Sequence, residues 1–152
     1  LDKSPMDAAS YPSSYRVSDK LVKITYSRPQ LKGRNVAKLA PAGKVWRTGA
    51  NEAPEITFYK DVKFGGKDVK AGTYTLFTMP GDKEWTVIWS TAKNVWGSYF
   101  YNEGEDVVRV MASKSKSEKS IEAFSIAFDG KDNDATMFIG WGDIIVSVPV
   151  KG

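Results

Sequence analysis

The chain has 152 residues, 41% of them hydrophobic, 12% aromatic and 26% charged, which suits one soluble globular domain rather than two. It contains no cysteine and no histidine. Those absences exclude disulfides, thiolate or imidazole metal ligands, cysteine nucleophiles and histidine-based catalytic triads. The formal charge of +4 is unevenly spread: residues 1–50 hold ten basic and three acidic groups, and residues 101–152 hold six and nine. Most of the cations are lysine, whereas bidentate phosphate reading favours arginine, so nucleic acid is not an expected partner. The basic first third is read as a solvated surface attracted to the acidic last third. No apolar run of eighteen residues occurs, so no membrane-spanning helix is expected.

In chain order, residues 1–18 carry Pro5, Pro12 and a serine pair without a repeating apolar face, and read as an extended N-terminal arm. Residues 19–152 read as a single β-domain. Alternation at a spacing of two begins with Val22, Ile24 and Tyr26 and stops at Pro29. Residues 30–50 are irregular, with a short helical turn expected around Val36–Leu39. Ile56 and Phe58 resume the alternation. Val62 and Phe64 then lead into Gly65-Gly66, a pair suited to the positive φ angles of a tight hairpin. The runs Thr73–Met79 and Trp85–Trp89 flank Pro80-Gly81-Asp82, the strongest hairpin signal in the chain. Trp85 and Trp89 share one face and are expected in the core. Segment 94–101, with Trp96 and Tyr99 around Gly97, reads as a loop with a short strand.

Val108 and Val110 mark a further strand, and the Lys/Ser-rich residues 113–120 read as a connection. Phe124, Ile126 and Phe128 follow, up to a turn at Asp129–Asp134. Met137–Trp141 and Ile144–Val150 read as two last strands parted by Gly142-Asp143. About nine short strands without a long helix predict an all-β fold, an antiparallel two-sheet β-sandwich, with a closed β-barrel as the alternative.

The densest polar cluster is GKVWRTGANEA at 43–53. Lys44, Arg47, Asn51 and Glu52 could converge on a ligand from this glycine-flanked loop, with Arg28 nearby and Trp46 or Trp96 as a stacking face. The competing reading is a network in which Arg47 pairs with Glu52 and Asn51 satisfies the loop backbone. Asp129–Asp134 departs from a calcium loop, with its glycine second rather than sixth, and reads as a polar hairpin tip. No phosphate-cradling glycine loop opens a helix, and neither a cofactor nor a metal is expected.

Read together, Ile24-Thr25-Tyr26-Ser27-Arg28-Pro29, Lys32-Gly33-Arg34, GKVWRTGANEA, AGTYTLFTMPG at 71–81, EWTVI at 84–88, Trp96-Gly97 and Asp106–Val110 form a series. The series resembles the bacterial domain-of-unknown-function family 2911 over residues 1–150. The stretch between Arg34 and Pro41 departs from it, being shorter and lacking a Phe-Gly pattern. The resemblance implies a periplasmic or secreted location and brings no established activity.

The expectation is therefore a non-enzymatic module binding a small polar ligand, glycan or peptide through Arg28, Lys44, Trp46, Arg47, Asn51, Glu52 and Trp96. A carboxylate-based glycan hydrolase using Glu52, with two carboxyl groups roughly 5–10 Å apart, and a purely structural or protein-interaction domain stand as alternatives.

Overall fold

The structure is a computed structural model that describes residues 6–12, 20–33, 36, 43, 46, 48, 53–81, 83–91 and 106–152, with backbone only at 106 and 107. Among the described residues nine strands arise, where the two-residue alternation was read and in some places where it was not. They are β1 (Met6–Tyr11), β2 (Val22–Ser27), β3 (Glu55–Phe58), β4 (Val62–Phe64), β5 (Lys67–Val69), β6 (Gly72–Met79), β7 (Glu84–Ser90), β8 (Asp106–Lys131) and β9 (Asp134–Lys151). β1 lies inside the segment read as an extended arm, where Met6–Tyr11 pair antiparallel with the whole of β2. Of the helical turn expected at 36–39, only Val36 lies among the described residues, and it is helical. Segment 94–101 lies outside them.

Every pairing is antiparallel, and the strands form one hydrogen-bonded sheet in the order β1-β2-β3-β6-β7-β8-β9-β4-β5. The order ends at β1 and β5, so the sheet does not close into the barrel held as the alternative. A division into two separate sheets is likewise not shown. The all-β, antiparallel reading stands, and both glycine-marked hairpins are present: β4–β5 around Gly65-Gly66 and β6–β7 around Pro80-Gly81. Gly65 and Gly66 take φ of 57° and 84°, which a two-residue hairpin turn of this hand requires.

Two expectations in the last third are corrected. Residues 113–120 are no connection but part of the 26-residue β8, and the two last strands are a single β9. The physical reason is visible in the register. Between Lys116↔Ile144 and Ser125↔Gly140, nine residue steps on β8 face four on β9. Such irregularities bend a strand without ending it. Gly142, at φ 59°, is the matching point on β9. Before it Ala135, Met137, Ile139 and Trp141 enter the core, and after it Val146, Val148 and Val150 do, so the inward face switches from odd to even positions. In sequence that switch imitates a turn.

The bend lets one sheet wrap the main core. Phe58 on β3 and Phe64 on β4 stand far apart in strand order, yet their ring centroids are 6.3 Å apart, and Phe64 lies 4.7 Å from Trp89 on β7. At the other end Tyr26 on β2 meets Phe124 on β8 at 5.8 Å. The chain after β2 also bonds to β8: Leu31 N–H donates to Glu122 O, and Phe124 N–H donates to Pro29 O. Trp85 and Trp89 are buried in this core, as their shared face predicts.

Burial has a measurable consequence at Tyr26. Desolvation pushes its phenol above the ordinary value, partly offset by the nearby charge of Arg28. The folded chain therefore holds this proton to higher pH than the unfolded one. Its stabilising effect is complete below the unfolded value, about 10, and is lost as pH rises through the higher folded value. Urea midpoints should fall above about pH 10, and less steeply in Tyr26→Phe. Tyr74, raised mainly by burial as well, leaves a residual slope in that variant.

Candidate functional site

Four residues of the 43–53 segment are described, and they show how it is anchored. Gly43 N–H donates to Pro80 O at 3.0 Å, and Trp46 exchanges two backbone bonds with Thr78, at 2.7 and 3.1 Å. The next contact with β6 is Glu55 opposite Thr75. From Trp46 to Glu55 are nine residue steps, against three from Thr78 to Thr75, a surplus of six over a regular ladder. At the far end Pro54 O accepts from Leu76 N–H, and Ala53 packs with Phe77 and Ile88 in a small apolar cluster separate from the main core.

Thr48 lies within this interval. It is fully buried at φ 53°, a left-handed conformation that a β-branched residue rarely adopts. Its hydroxyl bonds at once to Trp46 O at 3.2 Å and Thr78 Oγ1 at 3.0 Å. Strain of this kind, on the order of 1–3 kcal/mol, persists only where surrounding contacts hold it.

The Trp46 ring is 7% exposed. It stacks on Trp141 at 5.6 Å with the planes 4° apart, and meets Trp85 and Phe124 edge-on. One face of the expected stacking platform is thus occupied by Trp141, whose own indole N–H donates to Glu122 O. Arg28 reaches the same neighbourhood: its Nε donates to Phe124 O, one terminal nitrogen to Ser125 Oγ, and the other pairs with Asp7 at 3.3 Å. Arg28 and Trp46 are therefore brought together around Phe124, Arg28 through the backbone and Trp46 through the ring. Lys44, Arg47, Asn51, Glu52 and Trp96 lie outside the described residues.

Sequence reasoning passed over a row on the sheet face opposite the main core. Register aligns Glu55, Thr75 and Ser90 across β3, β6 and β7. Thr75 and Ser90 are fully buried polar residues, and beside them Phe77 and Ile88 are buried on this same face. The signal was available in the consecutive apolar pairs Leu76-Phe77 and Val87-Ile88, because a strand covered on both sides loses its alternation. Among the described residues no group of three or more acidic side chains could hold a metal ion. Asp132-Asn133 form the turn between β8 and β9, and Asp129 caps Gly130 N–H, as a polar hairpin tip would.

The family comparison matches the model "Protein of unknown function (DUF2911)" over residues 4–150, nearly the whole chain. The chain belongs to this family. Within DUF2911 the matched region takes in all of the sheet except the last residue of β9, together with the anchored 43–53 segment. Neither the curated proteins nor the solved structures include a match to this DUF2911 chain.

Proposed function

We propose that this DUF2911 protein is a non-enzymatic binding module whose ligand is a small polar molecule, a glycan or a peptide. The observation that carries the reading is the six-residue surplus between Trp46 and Glu55, held at both ends by β6. A segment tethered to a rigid sheet at each end presents side chains with little ordering loss on binding. In this reading Lys44, Arg47, Asn51 and Glu52 supply the polar contacts and Arg28 adds a cation at the rim. Trp96 is the stacking face, and the buried Trp46 anchors the segment to the core. The curled sheet then works as two facing layers, one carrying β2 and β3 and the other β8 and β9, a division supported by the Tyr26–Phe124 contact. Family resemblance supports action outside the cytoplasm, in the periplasm or medium.

The test is a thermal-shift screen against sugars, short peptides and small anions, run on the unmodified chain, Arg47→Ala and Asn51→Ala. Binding should raise Tm for the unmodified chain only, by an amount set by ligand concentration over Kd, while both variants keep their ligand-free Tm. A fall in ligand-free Tm in both, with no ligand found, would instead assign the segment to a structural network.

A further inference from the structure

At the β5 end of the sheet three lysines and two aspartates gather around the β4–β5 hairpin. Lys63 on β4 lies opposite Asp68 on β5 and opposite Lys151 on β9, so all three side chains share one face. Lys63 and Lys151 form a like-charge pair directly across strands, an arrangement that opposes pairing unless a counter-charge lies near. The carboxylates present compensate it weakly. Asp68 stands 4.0 Å from Lys63, with side chains 88% and 65% exposed, where water screens the attraction. Asp61 is turned to the base of the hairpin, accepting Ala71 N–H at 2.8 Å. Lys70 and Lys151 make no ion pair among the described residues. These five side chains line a wide-mouthed depression of about 590 Å³, open to solvent. That is room for roughly twenty waters at ~30 Å³ each, far more than a bare oxyanion fills.

We propose that this depression binds an oxyanion group, phosphate or sulfate, carried on a small molecule of about sugar size. The ammonium groups of Lys63, Lys70 and Lys151 are mobile point charges that can close on a tetrahedral anion from three sides. The group neutralises the Lys63–Lys151 repulsion, and the remaining volume takes its carrier. Asp68 competes with the ligand for Lys63, which gives the site a test of sign.

The experiment is an amide NMR titration of the intact chain at low ionic strength with inorganic phosphate, glucose 6-phosphate and glucose. Saturable shifts are expected at residues 61–70 and 150–152 with both phosphates and not with glucose, and glucose 6-phosphate should bind the more tightly. Lys151→Gln and Lys63→Gln should each weaken binding several-fold, and Asp68→Asn should tighten it. All three positions are exposed, so unchanged spectra elsewhere confirm the fold. Binding of inorganic phosphate as tightly as the ester would remove the carrier from the proposal. Shifts spread over lysines across the whole chain, or unaltered affinity in both lysine variants, would overturn it.

Discussion

Trp46→Ala should destabilise the protein by about 3–5 kcal/mol, read as a lower urea midpoint at unchanged m-value. The side chain lies among three aromatic rings, stacked on Trp141 and edge-on to Trp85 and Phe124. Truncation removes its apolar burial and leaves a cavity walled by rings that belong to β7, β8 and β9. These strands are tied to one another by the ladder, so collapse into the space is limited and the upper part of the range is expected. Trp46→Phe keeps an aromatic in place and should lose less than half as much. A loss under about 1 kcal/mol in Trp46→Ala, the scale of a surface change, would mean that the ring is not packed in this way. The binding reading adds a second expectation. Any ligand found in the thermal-shift screen should bind Trp46→Phe more weakly, because the segment it anchors is held less firmly.

Gly142→Ala should destabilise by about 2–5 kcal/mol, the sum of two separable terms. At φ 59° an L side chain meets its own backbone, a penalty on the order of 1–2 kcal/mol. A Cβ would also stand 2.8 Å from Val36 Cγ2, closer than such contacts allow. Gly66→Ala provides the comparison, because Gly66 has φ 84° and nothing within 4 Å of its notional Cβ. That variant should show the backbone term alone. Equal losses in the two variants would locate the whole effect in the backbone and leave none to the contact with Val36. Because Gly142 switches the inward face of β9, amide exchange in Gly142→Ala should rise at Ile139–Val146 before it rises in β6 or β7.

Much of the fold was legible because burial on one side of a strand writes a period of two. Val22, Ile24 and Tyr26, or Phe124, Ile126 and Phe128, announced their strands in that way. The Lys/Ser stretch at 113–120 did not, because much of it is solvated on both faces, leaving no apolar position to mark a strand. Thr75–Thr78 were legible as a strand only from the run and its Pro-Gly turn, since burial on both faces erases the alternation there. The candidate site was legible as a composition, an unusual mixture of charge and glycine. Its anchoring was not, since Thr78 and Pro80 lie some thirty residues from Trp46 and Gly43 along the chain.

From the sequence alone came the all-β class, the two glycine-marked hairpins, the tryptophans of β7 in the core and the kinship with DUF2911, because each depends on neighbours within a few residues or on matching segments. Whether the strands part into separate sheets, bend into one or close on themselves was decided only in three dimensions. That choice rests on register between distant strands and on the five extra residues that β8 sets against β9, and pairing across such distances leaves no periodic trace in the chain.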